Sequence, residues 1–132
     1  MDFKQTYSFD DVLLVPKYSQ IESRSQIDIS NTLSPNIKLS LPVISSPMDT
    51  VTEDSMAMTI GNAGGLGVIH RYNSIDEQAS LVKNSFPSRS HVAAAVGATG
   101  DFLERAKELE STGASVICID IAHGHHVLMR TA

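Results

Sequence analysis

Tryptophan is absent from this 132-residue chain, aromatic residues make up only 5%, and a single cysteine, Cys118, is present. Aliphatic side chains must therefore build the core. No internal disulfide can form, which makes a reducing cytoplasm the simplest compartment. No run approaches the roughly 20 apolar residues needed to cross a bilayer, so no membrane partner is expected. The opening stretch MDFKQTYSFDD lacks the apolar centre of a signal peptide. Positive charge is in deficit, with 10 Lys and Arg against 15 Asp and Glu and a formal net charge of -5. That speaks against a general nucleic-acid binder while leaving room for a local basic phosphate site. Low-complexity tracts, charge blocks and repeats are missing too. What remains is the composition of one soluble domain, 42% hydrophobic.

Residues 1–40 read as an N-terminal arm. Phe9, Val12, Leu13, Leu14 and Val15 form an apolar patch that Pro16 ends, SRSQIDIS alternates like a half-exposed strand, and Pro35-Asn36 marks a turn. Over 41–132 the rhythm is regular. LPVISS (41–46), GLGVIH (65–70), HVAAAVGA (91–98) and ASVICIDIA (114–122) predict four short strands. Between them, EDSMAMTIGNAG (53–64) has acids first and glycine last. Ser74-Ile75-Asp76-Glu77 has capping-box spacing. Asp101 can cap FLERAKELE, where Leu103, Ala106 and Leu109 recur at helical spacing before Gly113. HHVLMRTA begins one more helix.

Nearly continuous apolar strands separated by amphipathic helices predict an α/β fold with parallel strands buried on both faces. In such sheets the chemistry gathers at the carboxyl ends of strands. The residues there are Ser45, Ser46, Met48 and Asp49, then His70 and Arg71, then Gly97, then Asp120 and His123. Four β/α units are half of an eight-stranded barrel, which takes about 250 residues. The alternative is a small open sheet, and unpaired edges of either kind predict self-association or pairing with a missing C-terminal half.

FDDVLLVPKYS, SSPMDTVTE, GGLGVIHRYNSIDEQ and IDIAHGH, in this order, resemble the N-terminal half of the inosine monophosphate dehydrogenase and guanosine monophosphate reductase family. The resemblance implies a (β/α)8 TIM barrel of which this chain covers the arm and about the first four β/α units. It implies a purine nucleotide, GMP or IMP, as substrate and NADPH or NAD as cofactor. In that family a cysteine on a glycine-rich loop beyond the fourth strand attacks C2 of the purine. This chain has no such loop, so no catalytic residue is expected within it, and the isolated chain is expected to be inactive. Intact members are typically homo-oligomeric, usually tetramers.

The resemblance gives Ser46 and Met48 to the nucleotide; the plainer reading is a tight Pro47 turn opening a helix. Asp49 is expected to hold that turn through backbone hydrogen bonds. Asp120 ends an apolar strand where an unpaired carboxylate is too costly to bury. The resemblance gives it to the nicotinamide ribose or amide, with Ile121 and Ala122 lining the same pocket, and the alternative is a structural acid. His123, His125 and His126 suggest a metal, but no acid or cysteine cluster completes a site, so none is expected. Cys118 lies inside VICID and reads as a small apolar core residue.

Two features favour the reductase, which would convert GMP to IMP and ammonia with NADPH. Ser23-Arg24 matches a Ser-Arg pair that reductases use near the cofactor phosphate, a task suited to the planar arginine fork, and Arg71 adds a second cation. Both arginines could equally be solvated surface residues. Dehydrogenases also usually carry a regulatory pair of cystathionine-synthase-type modules between the second helix and third strand, where KNSFPSRSHVAAAVG crosses directly. In the other direction, SSPMDTVTE reads more like the dehydrogenase, which oxidises IMP with NAD. A rival of another class is a non-catalytic nucleotide-binding or assembly module.

Overall fold

The computed structural model describes residues 3–85 and 91–132. Residues 3–30 are an almost wholly exposed arm broken by two 3-10 turns, Phe9–Asp11 and Arg24–Gln26. The strand expected over SRSQIDIS does not form. Ser23 Oγ accepts from the Ser25 amide at 3.3 Å, and Gln26 Oε1 accepts from the Glu22 amide at 3.1 Å. These local bonds curl the backbone into a turn instead of a ladder, and Ile27 and Ile29 stay exposed.

Strands β1 (Asn31–Ser34) and β2 (Ile37–Leu39) form an antiparallel hairpin around the expected Pro35-Asn36 turn. Strands β3 (Gly67–Ile69), β4 (Val92–Val96) and β5 (Val116–Ile119) form a parallel sheet in chain order. Val68 stands opposite Ala93, and Ala94 opposite Ile117. The strand expected over 41–46 is reduced to one parallel bridge, Ile44 to Leu66. Around it Leu66 N–H donates to Val43 and Ser45 N–H to Leu66, both at 3.0 Å. Pro42 and Pro47 flank this segment, and neither can donate to a longer ladder. The sheet thus has three full strands and one that touches at a point.

The helices are α1 (Asp54–Asn62), α2 (Ile75–Asn84), α3 (Phe102–Ser111) and the single turn α4 (Leu128–Thr131). Ser74 and Glu77 close the predicted capping box: Ser74 Oγ accepts from the Glu77 amide at 3.2 Å, and Glu77 Oε2 accepts from the Ser74 amide at 2.9 Å. Asp101 does not cap α3, because its carboxylate is turned to Arg105. Leu103 is also not in the core. The inward face of α3 carries Phe102, Arg105, Ala106 and Leu109 instead.

Alternation along the strands divides the core in two. Ile69, Val92, Ala94 and Val96 face the helices and meet Ala57, Val82 and Leu109. Leu66, Val68, Ala93 and Ala95 face the other way and meet Ile37 and Leu39 of the hairpin. Gly67 lets α1 come close, since a Cβ there would run into the Ala57 backbone. β5 is paired on one side only, so all its residues are half-buried. Cys118, expected in the buried core, is therefore only half-buried, against the hairpin-facing cluster. The direct crossing read from KNSFPSRSHVAAAVG falls partly on residues 86–90, which lie outside the described residues.

Candidate functional site at the carboxyl ends of the strands

Parallel pairing sends the ends of the Ile44 segment, β3, β4 and β5 to one rim. Each strand continues there into polar chain: Ser45-Ser46, His70-Arg71, Gly97 and Asp120. Ser45 is spent on the fold, its Oγ accepting from the Val68 amide at 3.2 Å.

The turn after Ser46 is built by an unforeseen residue. Thr52 is fully buried and donates from Oγ1 to the Ser46 carbonyl at 2.7 Å. The Met48 carbonyl accepts from Val51 and Thr52 amides, each at 3.0 Å. Asp49, expected to hold this turn, is exposed and makes no side-chain hydrogen bond among the described residues; Thr52 does the work. The turn presents Met48 half-exposed.

At the end of β3, His70 and Arg71 part company. His70 is buried and reaches Glu53 at the start of α1. Its Nδ1 accepts from the Tyr72 amide at 3.1 Å, so the proton sits on Nε2, which donates to Glu53 Oε1 at 3.2 Å. Arg71 turns to the rim and donates from Nε to Asp120 Oδ2 at 3.1 Å. Its guanidinium crosses the tip of β4, with Nη1 3.5 Å from where a Cβ on Gly97 would stand. The pair is about one-third exposed on either side, so it contributes little to stability, about 0–1 kcal/mol. It fixes an orientation. Asp120 Oδ1 receives no hydrogen bond from the described residues, and the Asp120 amide donates to Val96 at 2.8 Å.

Beneath this rim lies a polar cluster with little outward sign in the sequence. Gln78 and Arg105 are both buried. Arg105 Nη1 donates to Gln78 Oε1 at 2.8 Å, and Nη2 donates to Asp101 Oδ2 at 2.8 Å and to the Asn73 carbonyl at 3.1 Å. The Arg105 guanidinium holds the Asp101 carboxyl below the usual carboxylate range, hydrogen bonding outweighing the opposing effect of burial. The only available clue was a polar residue interrupting each inward helix face, Gln78 beside Val82 and Arg105 beside Leu109.

Of the predicted site residues, the structure brings Arg71 and Asp120 into contact. Ile121 is half-buried and Ala122 exposed just past Asp120, and Ser46 and Met48 sit on the Thr52-held turn. Ser23 and Arg24 lie in the exposed arm. Their hydrogen bonds among the described residues stay within residues 22–27. His123 and His125 meet edge to face at 6.4 Å. Among the described residues no group of three or more His, Cys, Asp or Glu gathers as a metal site would require. An open cleft of about 650 Å³ is lined by Asp49, Glu53, His70 and Asp76 among others. It is a surface groove at the starts of α1 and α2 that takes in Asp49 and His70 from the strand ends but neither Arg71 nor Asp120. No helix among the described residues is long and apolar enough to cross a membrane.

One family's sequence model, described as the IMP dehydrogenase / GMP reductase domain, matches residues 6–132. Similar curated proteins include an inosine-5'-monophosphate dehydrogenase of Nitrosopumilus maritimus, 57% identical over 62% of this chain and 17% of its own length. A GMP reductase of Leishmania donovani is 46% identical over 58% of this chain and 15% of its own. An inosine-5'-monophosphate dehydrogenase of Methanocaldococcus jannaschii is 48% identical over 63% and 16%. The matches span about one-sixth of these relatives.

Proposed function

Since this chain belongs to the IMP dehydrogenase / GMP reductase family, a TIM-barrel family of purine-nucleotide oxidoreductases, we propose that it forms the first strands of such a barrel. In this reading its rim is one wall of the nucleotide and dinucleotide site. Ser46 and Met48 meet the purine nucleotide, and Arg71, Asp120, Ile121 and Ala122 meet the cofactor. A nicotinamide dinucleotide, when bound, supplies the hydride acceptor or donor. The residues here bind and orient: Asp120 Oδ1 is left to accept from a ribose hydroxyl or a carboxamide, because Arg71 has taken Oδ2.

The direction of reaction turns on that pair. The reductase reading needs cations for the extra phosphate of NADPH. Arg71 spends its Nε on Asp120, which in this reading sits at the nicotinamide end, away from the extra phosphate on the adenosine ribose, so Arg71 is not a cation for that phosphate. This supports NAD-dependent oxidation of IMP. Reduction of GMP with NADPH is the second reading, carried by Ser23 and Arg24, whose side chains are exposed and could be met by a cofactor phosphate. Both activities occur among the names of the similar proteins.

Assays of an enzyme completed by the remaining barrel half decide the matter. NADH formation from IMP, abolished by Asp120→Ala, is the expected result, and NADPH-dependent loss of GMP alone would reverse the direction. The 132-residue chain by itself should turn over neither nucleotide. A robust rate from it would mean that the nucleophile lies inside this chain.

A further inference from the structure

Strand β3 leaves the sheet after Ile69, one residue before its polar tip, and the sheet needs a replacement donor at that point. The carbonyls of Val92 and Val96 on β4 accept from Ser115 and Asp120 on the β5 side. By alternation the Ala95 carbonyl points the other way, toward β3. There β3 has already ended at Ile69, and the Arg71 amide, next in register on that side, makes no backbone hydrogen bond among the described residues. Gln78 fills the gap from α2, its Nε2 donating to Ala95 at 2.8 Å and reaching Ile69 at 3.4 Å. A side-chain amide thus stands where a strand amide would have stood.

Gln78 is in turn fixed by Arg105, which also grips the Asn73 carbonyl at the far end of the loop that carries Arg71. The loop from His70 to Asn73 is therefore held at both ends by one buried pair.

We propose that Gln78 and Arg105 are positioning residues for the rim: they set where β3 ends and so aim Arg71 across β4 at Asp120. Both are buried, and neither bonds Arg71 or Asp120 directly. Their value to a ligand is indirect, and it rests on the proposed use of Arg71 and Asp120 toward the dinucleotide.

Hydrogen exchange read by mass spectrometry on the 132-residue chain tests the positioning without any assay of activity. Arg105→Lys keeps the charge beside Asp101 but gives up the planar fork, Gln78→Met removes the substitute donor, and Asp101→Asn loosens Arg105 from an exposed position. Each should speed exchange in residues 70–73 about tenfold while leaving 92–96 within about twofold, the signature of a local rather than a global opening. Equal acceleration in both segments, or none in 70–73, overturns the proposal; Asp101→Asn decides if the buried variants unfold. In the completed enzyme the same variants should raise the dinucleotide KM with kcat little changed. Local exchange without any KM change would leave the positioning standing and remove the cofactor role of the rim.

Discussion

Thr52 and Ser46, six residues apart, are joined by a 2.7 Å hydrogen bond from a fully buried hydroxyl to a backbone carbonyl. This bond closes the turn that displays Met48. Thr52→Val keeps the shape and loses the donor while the Ser46 carbonyl keeps its bond from the Met48 amide at 2.9 Å, so it should cost about 0.5–1.5 kcal/mol. Thr52→Ser should restore most of the loss. Urea unfolding of the three proteins is the check, and equal midpoints for Val and Thr would mean that the turn holds without this bond.

Two glycines with different surroundings should respond differently to alanine. Gly67 faces the Ala57 backbone with no room for a Cβ. Gly67→Ala must push α1 off the sheet, at a cost of about 1–3 kcal/mol or more. At Gly97 an added Cβ would meet Thr99 O at 3.4 Å and Arg71 Nη1 at 3.5 Å, which is ordinary contact. Gly97→Ala should melt within about 2 °C of the parent, corresponding to a few tenths of a kcal/mol. A larger side chain such as Gly97→Leu should displace Arg71 and, on the proposed use of the rim, raise the dinucleotide KM of the completed enzyme.

The Cys118 thiol is pushed up, mainly by burial and further by the negative charge of Asp120 two residues along the strand. Only the thiolate is alkylated readily. Iodoacetamide at pH 8 should therefore modify Cys118 more slowly than it modifies a free cysteine peptide, and Asp120→Asn should raise the rate. A parent rate equal to that of the peptide would show that burial on β5 gives the thiol no protection.

Acid should release the Asp101–Arg105 contact. Arg105 lowers the Asp101 carboxyl below its unfolded value of about 3.9. A carboxyl depressed by folding stabilises the native state fully above the unfolded value, and that contribution fades as pH falls through the folded one. The melting temperature of the parent should thus exceed that of Asp101→Asn at pH 7 and converge with it in strong acid. A gap that stays constant with pH would assign the effect to something other than this ionisation.

Local signals in the sequence were legible where one segment decides its own structure. The Ser74–Glu77 capping box, the Pro35-Asn36 turn and the aliphatic runs of β3, β4 and β5 all formed as read. SRSQIDIS had the alternation of a strand but no partner, and serine and glutamine side chains captured its backbone first. LPVISS had the composition of a strand but carried one proline, Pro42, and ran straight into another, Pro47. The rim residues could be named from their place after each strand. Their support could not, because Gln78 and Arg105 look like breaks in apolar helix faces until the carbonyls that they satisfy are seen.

The sheet order β3-β4-β5 makes spatial neighbours of chain neighbours. Each new strand and helix closes onto the pair completed just before it, so the loop entropy spent per step stays small. A nascent chain can therefore assemble this region stepwise as it leaves the ribosome. The hazard of that route is also vectorial: at every pause the newest strand is the open one, and β5 is the strand on which a stalled chain would be caught by a neighbour.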